Sequence, residues 1–160
     1  MNTQYHNFFI RDWQPQDRQE AVDLIDSVLT EYGLGCEPDG ADVDVYKVEK
    51  YYQQTGGEFW VIEQNQRLIG TAGFYPIKRG NLAVEIRKMY LLSEARGKGL
   101  GKFLLLQLEQ TIKQKGFKEI WIETASVLNE AVQLYEHSGY EPTTGVETKR
   151  CDLVYRKMVI

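Results

Sequence analysis

The residues from which metal sites and disulfide frameworks are built are scarce in this sequence. Its 160 residues include two cysteines and two histidines. Cys36 and Cys151 lack the paired spacing of a metal or redox motif, and His6 and His137 lie far apart. We therefore expect reduced thiols, no disulfide and no bound metal ion.

Long hydrophobic runs and targeting segments are also missing. No apolar run reaches the roughly 20 residues that a membrane-spanning helix needs. Met1–Phe9 has no basic region followed by an apolar core. The chain has four prolines and 42% apolar residues, with no Pro- or Ser-rich linker. These features predict a cytoplasmic protein without membrane association, with residues 1–160 forming one domain.

Charge is distributed unevenly along the chain, whose formal net charge is −4. Seven acidic residues and two lysines lie between Glu31 and Glu58, whereas Lys78–Lys102 holds seven basic and two acidic residues. The overall acidity and the lack of a dense basic run argue against nucleic acid as a partner. The basic segment suits an anionic ligand. The acidic segment either steers a cationic substrate or is a solvated face.

Strand and helix signals follow one another in an order typical of an α+β fold. Hydrophobic periodicity predicts a strand at Phe8–Asp12, a helix from Pro15 to Tyr32 and a shorter helix at Asp44–Gln54. A meander of three strands, a helix, a strand, a helix and a hairpin follow, at residues 59–63, 68–77, 82–92, 98–115, 119–124, 127–137 and 140–160. This order predicts one mixed sheet flanked by helices.

A glycine-rich turn separates the third meander strand from the helix after it. Its sequence is Arg96-Gly97-Lys98-Gly99-Leu100-Gly101-Lys102. Small side chains let backbone N–H groups point at one anion, and the helix N-terminus adds about half a positive charge. The turn therefore predicts a phosphate-bearing ligand.

Two common phosphate motifs do not fit this turn. The P-loop pattern requires a glycine where Arg96 stands and a hydroxyl where Phe103 stands. The dinucleotide fingerprint matches Gly97 and Gly99 but meets Lys102 at its third glycine, and the preceding strand belongs to a meander. The pattern that remains is Arg-x-x-Gly-x-Gly, at Arg96, Gly99 and Gly101.

With this pattern the sequence resembles the GNAT superfamily of coenzyme-A-dependent N-acetyltransferases. A second patch, Ala131-Val132-Gln133-Leu134-Tyr135-Glu136-His137-Ser138-Gly139-Tyr140, resembles the family's A-x-x-L-Y-E-x-x-G-F/Y helix. The resemblance runs from the first strand to the tail, and residues 82–140 carry its specificity. It implies a mixed sheet in which two parallel strands, 82–92 and 119–124, splay apart to admit the pantetheine arm of acyl-CoA.

The resemblance also implies how acetyl-CoA is held. The turn from Arg96 through Gly101, with Lys102, is expected to bind the pyrophosphate through backbone N–H groups and basic side chains. The strand residues Met89, Tyr90 and Leu91 are expected to line the cofactor. The backbone of Met89 and Leu91 pairs with pantetheine, and an N–H at or beside Met89 polarises the thioester carbonyl.

Tyr135 matches the position that protonates the departing thiolate in many members of the family. A phenol with a pKa near 10 can hydrogen-bond to a thiolate or protonate it. Helical packing also accounts for the position, because Leu128, Ala131, Val132 and Tyr135 share one apolar face. Both interpretations stay open at this level.

Glu85 is the candidate general base. It stands within an apolar strand, and a period of two puts it on one face with Arg87, Met89 and Leu91. Burial raises the pKa of a carboxyl group, which makes it a better acceptor for the ammonium proton. The alternative is a salt bridge to Arg87 or Lys88.

The expected activity is transfer of an acetyl group from acetyl-CoA to a primary amine by direct attack in a ternary complex. The acidic Glu37–Asp44 loop and Tyr51-Tyr52 are expected to line the acceptor side, which would suit a cationic acceptor. A non-catalytic acyl-CoA sensor is the competing class. The sequence leaves the acceptor's identity and the oligomeric state open, with a homodimer through the meander as one outcome.

Overall fold

The protein folds around one eight-stranded mixed sheet, seen in a computed structural model that describes residues 1–159. The strands are β1 (Asn2–Tyr5), β2 (Phe8–Asp12), β3 (Glu58–Gln64), β4 (Arg67–Ile77), β5 (Ala83–Leu91), β6 (Glu119–Thr124), β7 (Glu141–Pro142) and β8 (Leu153–Met158). Their order across the sheet is β1-β2-β3-β4-β5-β6-β8-β7. Among the described strands, β5 and β6 form the one parallel pair, and it lies in the middle of the sheet.

Helices cover both faces of this sheet. They are α1 (Arg18–Glu31), α2 (Val43–Tyr46), α3 (Val48–Tyr51), α4 (Leu100–Gln114) and α5 (Asn129–His137). Short 3₁₀ turns lie at Pro15–Asp17, Gln53–Thr55 and Ser93–Ala95. The expected mixed sheet flanked by helices is confirmed.

The two cores follow from the periodicity of α1 and α4. In α1 the buried positions are Ala21, Val22, Leu24, Ile25, Val28 and Leu29, which pack against one face of the sheet. In α4 they are Leu100, Leu104, Leu105, Leu108 and Ile112, which pack against the other. Residues three or four apart share a helix face, so each helix presents one apolar stripe inward. Burying such a side chain stabilises the fold by about 1.5–3 kcal/mol.

A bulge in β5 changes which side chains face each core. The register with β4 shifts between Thr71 and Gly73, and Lys88 has a positive φ of 54°. The Thr71 hydroxyl donates a hydrogen bond of 2.7 Å to the Lys88 carbonyl. Two residues of β5 then lie opposite one residue of β4, so the alternation of side chains between the two faces of the sheet is interrupted. Met89 and Leu91 pack on the α4 side, and Tyr90 on the α1 side.

The expected common face of Glu85, Arg87, Met89 and Leu91 is therefore wrong for the last two residues. Arg87 and Lys88 both reach Ala41 before α2, while Val84 and Ile86 belong to the core on the α4 side. A strict period of two cannot anticipate this change because the extra residue is inserted within the strand.

The parallel pair opens like a V. β5 and β6 pair from Ala83 opposite Glu119 to Ile86 opposite Ile122, and no pairing continues beyond that point. β5 runs on to Leu91 and β6 to Thr124. The predicted splay between these strands is confirmed, and it leaves unpaired backbone along the opening.

Local elements differ from the sequence predictions in two places. The helix expected at Asp44–Gln54 consists of α2, α3 and a 3₁₀ turn, because Lys47 leaves the helical region with a ψ of 52°. β1 was not predicted, since its residues Asn2–Tyr5 are largely polar. The C-terminal hairpin is present as β7 and β8. Within residues 1–159, no helix has the length and apolar character required to cross a membrane.

Candidate active site

A cavity of about 310 Å³ fills the opening between β5 and β6. The glycine turn and α5 line one side of it, α1 lines another, and the loop before β8 closes the rest. Predicted site residues that line it are Met89, Tyr90, Leu91, Arg96, Gly97, Gly99, Gly101, Lys102 and Tyr135. The structure thus brings together most of the residues assigned to the cofactor and the candidate acid.

The glycine turn presents a run of free backbone N–H groups. Within the described chain, the N–H groups of Gly97, Lys98 and Gly99 donate no hydrogen bond. Those of Leu100, Gly101 and Lys102 belong to the first turn of α4, where no intrahelical acceptor exists. Six consecutive donors at a helix N-terminus make an anion-binding site.

The side chains of the turn divide into structural and open groups. Leu100 is 1% exposed and packs in the core, so it can serve a ligand only through its backbone. Lys98 and Lys102 are exposed. Gly97 and Gly99 have φ values of 73° and 82°, in the left-handed region that favours glycine. The turn therefore offers two lysine charges and its backbone to phosphate.

Arg96 lines the cavity, but four of its five N–H donors are engaged within the protein. Its guanidinium bonds to both carboxylate oxygens of Glu31 at 2.6 and 3.0 Å. It also donates to the Leu91 carbonyl at 3.0 and 2.8 Å and lies over the Tyr32 ring. These bonds tie the turn to β5 and α1, and one N–H on Nη1 is left for the expected contact with pyrophosphate, which stays a prediction.

Tyr135 occupies the cavity wall from α5. Its side chain is 4% exposed. The centroid of its ring lies 6.0 Å from that of Tyr140 and 6.3 Å from that of Tyr155. Within residues 1–159 its hydroxyl has no hydrogen-bond partner. Burial raises the pKa of Tyr135 above its usual range. The phenol thus stays protonated and is available as a donor to a group in the cavity.

Glu85 lies apart from this cavity. It lines a second cavity with Ile77, Lys78, Arg79 and Glu147. Its carboxylate accepts a hydrogen bond of 2.9 Å from Arg87, so the salt bridge considered above is present. Burial raises the pKa of Glu85, while the charge of Arg87 opposes that shift. Tyr135 and Glu85 thus do not line one common space.

The carboxylates of the acidic loop are largely committed to internal ion pairs. Asp42 and Asp44 are 1% and 2% exposed. The Lys88 ammonium lies 3.3 Å from Asp42 and 3.2 Å from Asp44, and Arg150 pairs with Asp42 through two hydrogen bonds of 2.7 and 2.8 Å. The expectation that these two carboxylates face a cationic acceptor is wrong. Asp39 is exposed.

Three residues of the cavity wall were not identified from the sequence. Arg150 and Cys151 come from the loop before β8, and Glu123 comes from β6. The Glu123 carboxylate accepts hydrogen bonds from Arg79 at 2.7 Å and from the Thr148 backbone at 2.9 Å. Burial, with the nearby charge of Glu123, raises the pKa of the Cys151 thiol to about 11. No local motif marks these positions, because only the folded C-terminal loop brings them to the cavity.

Metal chemistry has no obvious ligand set in the described part of the chain. Among residues 1–159, no group of three or more His, Cys, Asp or Glu side chains is arranged to hold a metal ion. Cys36 and Cys151 are free thiols. What the cavity offers is backbone N–H groups, the charge of Lys102 and a buried phenol.

Known proteins share both the sequence pattern and the fold. Residues 21–140 match the family model for the acetyltransferase (GNAT) family. An uncharacterized N-acetyltransferase of Escherichia coli, YjgM, is 36% identical over 129 residues, which cover 79% of this chain and 77% of that protein.

Solved structures agree on the architecture. An acetyltransferase of the GNAT family from Staphylococcus aureus superposes with a TM-score of 0.88 at 20% identity, covering 96% of this chain and 99% of that one. A spermidine N-acetyltransferase from Vibrio cholerae, solved in complex with CoA and spermine, superposes with a TM-score of 0.71 at 17% identity, covering 97% of each chain. At these identities the likeness concerns the fold. Taken with the match over residues 21–140, it shows that the chain belongs to the GNAT family and is an acyl-CoA N-acetyltransferase.

Proposed function

We propose that the protein transfers an acetyl group from acetyl-CoA to a primary amine by direct attack in a ternary complex. One observation carries the proposal: four residues of the glycine turn with free backbone N–H groups, Gly97, Gly99, Gly101 and Lys102, border the same cavity as an unpartnered, buried tyrosine hydroxyl. The backbone N–H donors suit a pyrophosphate. The tyrosine hydroxyl suits a thiolate that forms within hydrogen-bonding distance of it. We also propose that residues 1–160 form one domain, since strands from both ends join one sheet.

The residues around the cavity fit acetyl-CoA as the donor. Gly97–Lys102 supply N–H donors and the charges of Lys98 and Lys102 for the diphosphate. The edge of β5 that diverges from β6 leaves backbone groups around Met89 to pair with an amide-bearing arm. A backbone N–H there can polarise the thioester carbonyl, as an oxyanion donor does.

Tyr135 has the leaving group as its proposed partner. The amine nitrogen forms a bond to the acetyl carbon, the carbon–sulfur bond breaks, and the electron pair moves to sulfur. A neutral phenol then stabilises the thiolate by a hydrogen bond and delivers the proton that yields the free thiol, and the phenolate is reprotonated by the second proton that the nitrogen loses as it becomes an amide. Because burial raises the pKa of Tyr135, hydrogen bonding is the larger part of this role at neutral pH.

Glu85 is proposed to receive the proton that the acceptor ammonium loses. Releasing a proton from an alkylamine with a pKa near 10.4 costs about 4 kcal/mol at neutral pH, so an acceptor group is needed. Glu85 lies on β5 within the electrostatic influence of Glu123, whose side chain reaches the main cavity. A water chain between the two cavities would complete the route.

The test is a turnover assay with the intact protein. CoA release is followed with a thiol reagent across a panel of primary amines, and the acetylated products are confirmed by mass spectrometry. Amine-dependent CoA release with matching acetyl-amine mass supports the proposal. Tight acetyl-CoA binding without amine-dependent turnover on any member of the panel would favour the non-catalytic sensor.

A further inference from the structure

One arginine in the cavity wall has unused hydrogen-bonding capacity. Arg150 is 9% exposed at its side chain and lines the cavity. Its Nη1 donates to Asp42 at 2.7 Å and to the Gly35 carbonyl at 3.0 Å, and its Nη2 donates to Asp42 at 2.8 Å. A guanidinium has five N–H donors. These three bonds leave one N–H on Nε and one on Nη2 without an acceptor in the described chain.

The two free donors share one edge of the guanidinium. Nε and Nη2 form a fork whose spacing matches the two oxygens of a carboxylate. Asp42 takes the opposite, Nη1–Nη2 end and so fixes the plane of the group. Asp42 is itself held by Lys88 at 3.3 Å. Arg150 is thus oriented before any ligand arrives, which reduces the entropy that binding would cost.

A second donor, the Tyr90 hydroxyl, is under the electrostatic influence of the Arg150 guanidinium. The Tyr90 hydroxyl has no hydrogen-bond partner among residues 1–159, and its side chain lines the same cavity. Burial raises the pKa of Tyr90 to about 12, although the nearby charge of Arg150 opposes the shift. The phenol therefore remains a donor at neutral pH, close enough to Arg150 for the guanidinium to act on it.

Anionic side chains that might hold a second ammonium group are engaged or remote. Of the two acids that line the cavity, Glu123 is satisfied by Arg79 and the Thr148 backbone, and Glu130 is exposed at the first turn of α5. The cavity wall also includes the largely apolar set Val28, Tyr32 and Leu34, of which Tyr32 lies under the Arg96 guanidinium. Within residues 1–159, an extended polyamine would find the exposed Glu130 carboxylate in the wall, whereas the Glu37 carboxylate lies 3.6 Å from Nη1 of Arg150.

We infer that the acetyl acceptor carries a carboxylate next to its amine, and that the Nε–Nη2 edge of Arg150, with the Tyr90 hydroxyl, binds that carboxylate. The acceptor class is a free amino acid with an uncharged side chain, which the apolar wall would cover. This inference rests on the proposed function, because it names the acceptor of the same reaction.

The test compares acceptors that differ only in the carboxylate. Values of kcat/KM are measured for phenylalanine against phenethylamine, for tyrosine against tyramine, and for spermidine. A bidentate, charge-assisted pair in a partly desolvated site predicts about a 10- to 100-fold preference for the amino acid in each pair. Equal or better turnover of the amines lacking the carboxylate, or of spermidine, would overturn the inference.

Variants assign the preference to its residues. Arg150→Lys keeps a cation for Asp42 but removes the fork, so the preference should fall towards unity while acetyl-CoA affinity stays within about twofold. Tyr90→Phe should reduce the preference severalfold without breaking an ion pair. Arg11→Lys is the matched control, because Arg11 makes the same two-bond pair with Asp17 on another part of the sheet. A preference that persists in both cavity variants would refute the assignment.

Binding separates failure of this inference from failure of the proposed function. Phenylalanine is titrated into the wild-type protein saturated with CoA, and then into Arg150→Lys. Binding that the variant loses supports the carboxylate site even if no turnover is detected, in which case the transferase proposal alone fails. Absence of amino-acid binding to a wild-type protein that acetylates other amines would reject the carboxylate site and leave the transferase proposal intact.

Discussion

The hydroxyl of Tyr5 donates a hydrogen bond of 2.8 Å to the carbonyl of Lys98 and so links the N-terminal strand to the glycine turn. The Tyr5 ring stacks on Phe103 with centroids 4.8 Å apart. A Cβ atom added at Gly99 would stand 2.5 Å from the Tyr5 hydroxyl. β1 thus supports the turn from behind, and the turn's conformation depends on a residue about 90 positions away.

Replacing Tyr5 with phenylalanine should weaken acetyl-CoA binding without changing turnover at saturation. Losing one hydrogen bond costs about 1 kcal/mol, which corresponds to about fivefold in the dissociation constant if the turn loosens before binding. Calorimetric titration measures it. Tyr155→Phe, which removes a 3.0 Å bond to Glu136 elsewhere, is the control. Equal affinities of Tyr5→Phe and wild type for acetyl-CoA would show that the hydrogen bond from Tyr5 to Lys98 does not influence the phosphate site.

Tyr135→Phe should lower kcat by about 10²- to 10⁴-fold, the usual contribution of a positioned acid, and leave acetyl-CoA affinity nearly unchanged. The ring is retained, so packing against Tyr140 and Tyr155 persists. Stopped or continuous CoA-release assays give kcat. Tyr140→Phe is the matched control, since its hydroxyl is buried but donates to Glu109 at 2.8 Å. Full activity in Tyr135→Phe would leave the residue with packing alone.

Glu85→Gln distinguishes a base from a structural partner of Arg87. A base must be ionised, so wild-type kcat/KM should fall as the pH drops through a pKa that burial has raised above the usual carboxyl value. The Glu85→Gln variant should have a lower kcat/KM, and its pH profile should lack the decrease at acidic pH. Profiles are recorded on one amine, with Glu63→Gln, which loses a half-buried pair to Arg11, as the control. An unchanged profile with reduced thermal stability would mean that the salt bridge is the only role.

Asp42→Asn should destabilise the fold by about 3–5 kcal/mol at pH 7, because it removes the partner shared by two buried cations and leaves Lys88 with Asp44 alone and Arg150 with Glu37 at 3.6 Å. Although burial opposes it, the bonds from Arg150 and the charge of Lys88 lower the pKa of Asp42 in the folded protein. Its stabilisation is therefore complete above the unfolded-state pKa of about 3.9 and is lost as the pH falls through the lower folded value.

The measurement is urea unfolding of wild type and Asp42→Asn between pH 7 and about pH 3. The difference in unfolding free energy should be largest near neutrality and shrink at the acidic end. Asp39→Asn, in the same loop but exposed, should have little effect throughout. A difference that grows with acidification would contradict the assigned ion pairs.

Sequence patterns were sufficient to predict those elements whose conformation depends on residues close together along the chain. The glycine turn, α4 and α5 are each specified by residues three to five positions apart, and the structure places them as expected. The bulge at Lys88 could not be predicted from the sequence, because Lys88 contacts Thr71 from β4 and two aspartates near α2, which are distant along the chain. The register that it changes decides which side chains of β5 pack on the α4 side of the sheet and which on the α1 side.

The acceptor side could not be read from composition for a related reason. The acidic segment suggested open carboxylates, but their partners, Lys88 and Arg150, lie about 45 and 108 positions away from Asp42. Charged residues that are widely separated in sequence can form ion pairs when they are buried together. Only the fold therefore shows which charged groups remain available to a ligand. The free edge of Arg150 is the part of that network left for a ligand.

The most direct test of the account is calorimetric titration of acetyl-CoA, CoA, ATP and NADH into wild type, Gly101→Glu and Gly101→Gln. A Cβ at Gly101 would stand 3.5 Å from Leu134 and 3.9 Å from Leu91, both in the cavity wall, so either side chain can be accommodated there. The glutamate would place a negative charge beside the N–H donors, whereas the glutamine has nearly the same size without charge. We predict selective binding of acetyl-CoA and CoA by wild type, weakened binding by Gly101→Gln and loss of binding by Gly101→Glu. Preferential binding of ATP or NADH, or equal affinities in all three proteins, would contradict the assignment of the turn as the phosphate site.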